Sequence, residues 1–156
     1  MEYDLKFIRR AVEIAANGIK EGGGPFGALV TKDQRIIAEA NNRVVLSHDP
    51  TAHAEITAIR KASAILKTHD LSGCVLYSSC EPCPMCLGAI YWSGIKKVVY
   101  ASDRFEAAAA GFIDSIIYDE IKMAPEARKI NFINIPDAGG EEVFKQWKKY
   151  DDRIPY

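Results

Sequence analysis

The sequence predicts an α/β fold: a three-layer α/β/α sandwich around a central mixed sheet of five strands. Three observations carry this. Helical and strand-like patterns alternate along the chain, two early apolar runs sit either side of a short polar connection, and helices cover the intervals between the later strands. The 156 residues are enough to bury a real core without staples and form one domain, residues 1–156.

Each element follows from local pattern. In residues 4–20, Leu5, Ile8, Val12, Ile14, Ala15 and Ile19 recur at helical spacing, and Gly22–Gly24 stop the helix. Residues 26–42 read as a hairpin closed across Lys32-Asp33-Gln34-Arg35. Residues 49–66 are a second helix, with Asp49 or Thr51 as candidate caps and Pro50 early. "GCVLYSS" is a short buried strand, followed directly by the helix "PMCLGAIYWSG" and the strand "KKVVYAS". Beyond it, residues 103–121 mix helix and loop, "KINFINI" is the fifth strand and "GEEVFKQWKKY" the last helix. Neither an internal repeat nor a low-complexity linker interrupts this order.

Composition narrows the function. With 48% hydrophobic and 26% charged residues the chain resembles an ordinary soluble domain. Its net charge of −1, without a Lys/Arg block, argues against a nucleic-acid partner held mainly through phosphates. The N-terminus mixes acids and bases and lacks an apolar core segment, so no secretory signal is expected. No apolar run is long enough for a membrane span. The expected location is the cytoplasm, where clustered cysteines serve metals or catalysis rather than disulfides.

Three of the four cysteines, Cys80, Cys83 and Cys86, are spaced by two residues. Either adjacent pair could pinch a metal if helical. Pro82, at the first helical position, would leave Cys80 at the strand end and place Cys83 and Cys86 in the first turns. There the helix dipole and unpaired N–H groups stabilise thiolates. The alternative is a structural CxxC or a pair of buried free thiols. A third ligand is available in His53, at the start of the second helix, and Glu55 beside it could move a proton to or from a metal-activated water. Taken alone, "HAE" reads more readily as a core histidine and a solvated glutamate.

Together, His53-Ala54-Glu55 and Pro82-Cys83-Pro84-Met85-Cys86 match the H-x-E…P-C-x-x-C signature of zinc-dependent nucleobase deaminases. The chain resembles the cytidine/deoxycytidylate deaminase superfamily over nearly its whole length, which implies a cytidine deaminase-like fold. Within it the chain is most similar to the bacterial guanine deaminases, through "GGPFGA", "DPTAHAEITAIRKA", "SCEPCPMCLGAIYW", "AGFIDS" and the terminal Tyr156. The resemblance implies one Zn2+ per chain on His53, Cys83 and Cys86, with Glu55 as proton shuttle and Asp114 as a second catalytic acid. It also implies a purine pocket lined by Phe26, Asn42, Ala54, Trp92 and Asp114. It further implies a homodimer in which the segment from about residue 137 to 156 is exchanged, so that Tyr156 closes the neighbour's site. One departure stands out: "EAAAAG" carries no acid near residue 109, where a further proton carrier is expected.

The pocket residues have structural readings as well. Phe26 fits the start of a core strand, Asn42 ordinary turn chemistry, Trp92 core packing and Asp114 a cap for "SIIYDEI". The expected activity is hydrolysis of guanine to xanthine and ammonia. The alternatives are deamination of tRNA adenosine or of another small aminoheterocycle, and a structural zinc module or inactive partner subunit with Cys80 as fourth ligand.

Overall fold

Four strands, β1 (Gly24–Lys32), β2 (Arg35–Asn42), β3 (Cys74–Cys80) and β4 (Lys97–Ser102), form one mixed sheet in the order β2-β1-β3-β4. The computed structural model describes residues 2–155. Strand β1 pairs antiparallel with both β2 and β3, whereas β3 and β4 run parallel. The hairpin closes through a two-residue loop, Asp33 and Gln34, at φ of 48° and 60°. Left-handed geometry at both loop positions matches the right-handed twist of the flanking strands; Asp33 is a usual residue at the first position, whereas Gln34 stands where glycine is usual.

Helix α1 (Glu2–Lys20) covers one face of the sheet, where Phe7 and Ala11 pack with Leu29 and Tyr77. Helix α3 (Ala54–Leu66) covers the other. Its Ala54, Ala58, Ile59 and Ala62 join Ala28, Val30, Leu76 and Ile90, the last from α4 (Pro84–Trp92). Ala28 and Val30 therefore face one layer and Leu29 the opposite one, the two-residue alternation of a strand buried on both faces. Gly27 is the point of closest approach to α1. A Cβ there would lie 2.5 Å from the Ala15 amide nitrogen and clash with the Ala11 carbonyl. A short helix α2 (Val44–Ser47), unexpected from the sequence, follows β2 and ends at His48 in left-handed geometry.

Several local expectations change. Helix α3 starts at His53, its N-cap, rather than at Asp49 or Thr51. The Asp49 carboxylate accepts from the Thr51 N–H and hydroxyl instead, closing a turn before the helix. Helix α4 likewise begins two residues later than Pro82 suggests, with Cys83 as N-cap and Pro84 at the first helical position. Pro84 suits that position because its missing N–H would lack an intrahelical partner.

The chain divides into two compact units after Asp114. The first closes with α5 (Arg104–Ala109), whose start is a capping box: Asp103 accepts from the Phe105 and Glu106 N–H groups while Glu106 accepts from Asp103. The second contains α6 (Ser115–Ile121), two single-turn 3-10 helices and α7 (Gly140–Lys149). Here the expected fifth strand is absent. Residues 129–135 form no strand among the described residues, and Ile130 and Ile133 are 71% and 75% exposed. Alternating apolar residues give a segment strand propensity, but a strand exists only where another chain segment takes up its N–H and C=O groups. Among the described residues, no helix is long and apolar enough to cross a membrane.

Candidate active site

Two helix starts converge at the carboxyl end of β3. His53 and Cys83 are the N-caps of α3 and α4, both in extended backbone geometry, and Cys86 lies in the first turn of α4. The Sγ atoms of Cys83 and Cys86 lie 3.5 and 3.6 Å from His53 Nδ1. All three donor atoms fall within 4.8 Å of one another. N-cap geometry solves the problem that residues two apart on a regular helix point in different directions. His53 leaves the chain before the helix begins and Glu55 after it, so both reach one centre.

The donor chemistry fits zinc. Two thiols and one imidazole nitrogen form the soft, three-ligand set that leaves a tetrahedral ion one open position. Hydrogen bonding from Cys86 holds the Cys83 thiol well below its ordinary range. The same bond, with burial, pushes Cys86 up. The His53 imidazole is raised, first by Cys83 and against its burial. A cation bound by all three donors would displace the protons that now link them.

Glu55 stands beside this cluster, 6% exposed. Burial raises its carboxyl above the ordinary range, and the Cys83 charge raises it further against the opposing pull of His53. Its Oε1 accepts from the Ser78 hydroxyl at 3.2 Å. Sequence reasoning missed Ser78, because a lone serine in a strand has no local signature. Cys80, the expected fourth ligand of a structural site, is not one of the three clustered donors. Its Sγ lies 3.5 Å from the Asp103 carbonyl, to which it donates, and burial pushes its thiol up to about 11.

The proposed pocket residues are placed as follows. Phe26, half-buried, meets Phe112 edge-on with ring centroids 4.8 Å apart. Asn42 is buried, and its Oδ1 accepts from the Val44 N–H at the start of α2. The Ala54 methyl is fully buried in the core, which leaves its peptide N–H, the first of α3, as its polar group. Trp92 ends α4 and is 70% exposed. Asp114 is half-buried, and burial followed by the Cys83 charge raises its carboxyl. Tyr156 lies outside the described residues. The stretch around residue 109 is the end of α5, so the missing acid is replaced there by helix-forming alanine.

An α/β/α unit with this three-donor centre and a buried acid beside it defines a mononuclear zinc protein. Residues 1–102 match the family model of the cytidine and deoxycytidylate deaminase zinc-binding region. The chain belongs to this family. It is 50% identical over 151 residues to the guanine deaminase of Bacillus subtilis (strain 168), covering 96% of this chain and 97% of that one. The X-ray structure of guanine deaminase from Bacillus subtilis superposes with a TM-score of 0.94 over 97% of each chain, at 50% identity. A tRNA-specific adenosine deaminase from Haemophilus influenzae is 40% identical over 111 residues, covering 70% of this chain and 64% of its own. A structure of NE0047 in complex with 2,6-diaminopurine matches with a TM-score of 0.66 and 40% identity, covering 69% and 61% of the two chains.

Proposed function

We propose that this chain hydrolyses guanine to xanthine and ammonia. The carrying observation is the convergence of His53, Cys83 and Cys86 beside buried Glu55. It occurs in a chain half identical, nearly end to end, to a guanine deaminase. Zinc held by the His53 imidazole and the Cys83 and Cys86 thiolates would supply an acidified water as the nucleophile for C2 of the purine. Glu55 takes one proton from that water for the ring nitrogen, then takes the remaining proton of the added hydroxyl and passes it to the amine as the C–N bond breaks. Both transfers need the carboxylate within one hydrogen bond of the water and of the purine, and the first turn of α3 holds it at the cluster.

The purine is the proposed partner, enclosed by Phe26, Asn42, Ala54, Trp92 and Asp114. Phe26 stacks on the ring, and the first peptide N–H of α3, at Ala54, donates to a purine acceptor. Asp114 accepts from the N–H and amino donors of guanine and serves as the second proton carrier. The chain acts as a cytoplasmic homodimer in purine catabolism. Its C-terminal segment, about residues 137–156, crosses to the neighbour so that Tyr156 completes the second pocket. The support is the second unit itself: none of its described residues is buried, although it carries Ile116, Ile117, Ile121, Phe132 and Trp147. Apolar area on this scale calls for a cover that a second copy supplies.

Ammonia release from guanine, guanosine, adenine, cytosine and tRNA tests the reading. Guanine should be turned over far faster than the rest. Release from tRNA with none from guanine would instead place the chain with its adenosine deaminase relatives.

A further inference from the structure

One polar side chain interrupts the stripe that β3 turns toward α3 and α4. By the period of a strand, Cys74, Leu76, Ser78 and Cys80 share that face, and Cys74 and Leu76 lie in the core cluster there. Ser78 is only 1% exposed. The ladder fixes it on both sides, opposite Ala28 of β1 and Tyr100 of β4. A hydroxyl buried this deeply is costly unless it is hydrogen-bonded. Its bond goes to Glu55 Oε1, across 23 residues of sequence.

We propose that Ser78 is a positioning residue for Glu55: its hydroxyl occupies Oε1 and dedicates Oε2 to carrying the proton. This deepens the deaminase reading and rests on it. The terminal torsion of a glutamate is broad and roughly two-fold, so an unpinned carboxylate presents either oxygen at varied angles. A donor seated on the central ladder removes that freedom without contacting the purine. The proton balance is simple. The water's proton bonds to Oε2 as its O–H bond breaks, and Oε2 then releases it to the ring nitrogen. Oε2 next takes the remaining proton of the added hydroxyl and passes it to the amine as the C–N bond breaks, and the Ser78 hydrogen stays on Oγ throughout. A residue that acts this way changes kcat and leaves KM alone.

The test compares zinc-loaded wild type, Ser78→Ala and Ser78→Thr for zinc content, guanine kcat and KM, and the crystallographic position of the Glu55 carboxylate. Ser78→Ala should keep its zinc and a KM within about twofold, while kcat falls about 10- to 100-fold. In its crystal structure the Glu55 carboxylate should rotate away from the wild-type pose or occupy two. Ser78→Thr keeps a hydroxyl in a residue suited to strands and should return kcat to within about threefold of wild type. A Ser78→Ala enzyme as fast as wild type, or a Ser78→Thr enzyme as slow as Ser78→Ala, overturns the proposal. Should Ser78→Ala not fold, Ser78→Cys, of similar size but a weaker donor, gives the same comparison. Failure of the function itself looks different, because wild type then releases no ammonia from guanine. The Glu55 pose in Ser78→Ala still decides the role of Ser78: an unmoved carboxylate sinks it.

Discussion

In the proposed reaction Glu55 must be dry enough to hold a proton and close enough to an acidified water to receive one. Its place in the first turn of α3 keeps it buried beside His53. Glu55→Gln keeps the shape and hydrogen-bonding reach while removing the proton-carrying oxygen. The variant should bind zinc as wild type does and lose guanine turnover by about 10²- to 10⁴-fold, measured as ammonia release alongside metal content. The zinc ligands are the part of the site most legible in the sequence. Metal chemistry restricts both the residue types and their spacing, and Pro82 and Pro84 mark which cysteines meet the helix start. Ser78 was illegible for the opposite reason: its meaning is a contact with Glu55, made by the fold and not by neighbours in sequence. Asn42 and Trp92 lie between these cases, since their side chains fit ordinary capping or surface roles as readily as a pocket.

Among the elements, α1 and β1 show how tightly the layers are matched. Gly27 has no room for a side chain against the Ala11 carbonyl and the Ala15 amide. Gly27→Ala would push α1 off the sheet and should lower stability by about 1–3 kcal/mol, read as a reduced urea midpoint at unchanged slope. Element order was legible because the hydrophobic period changes cleanly between helix and strand. The starts of α3 and α4 were less so, as capping by His53 and Cys83 answers to the metal centre rather than to the usual Ser, Thr, Asp or Asn preference. The fifth strand failed for a further reason. The pattern of residues 129–135 specifies which side chains share a face, whereas a pairing partner is a property of the surrounding fold.

At the scale of the molecule, the exposed apolar residues of the second unit give the exchange proposal its test. Removing residues 151–156 should leave zinc in place and lower guanine turnover, by about tenfold or more if the tail orders the bound purine. A truncated enzyme at full rate would show that the tail takes no part in the site. The convergence of two helix starts has one more effect. A single ion would tie together chain segments 30 residues apart, Cys83 to His53, so the free-zinc level becomes a stability variable alongside temperature and denaturant. Each tenfold rise in free zinc above its dissociation constant adds about 1.4 kcal/mol against unfolding. Melting in a series of zinc buffers should therefore shift steadily upward, and a strong chelator should return the chain to a common lower transition. Zinc supply would then set how long the folded chain survives as well as how fast it turns over.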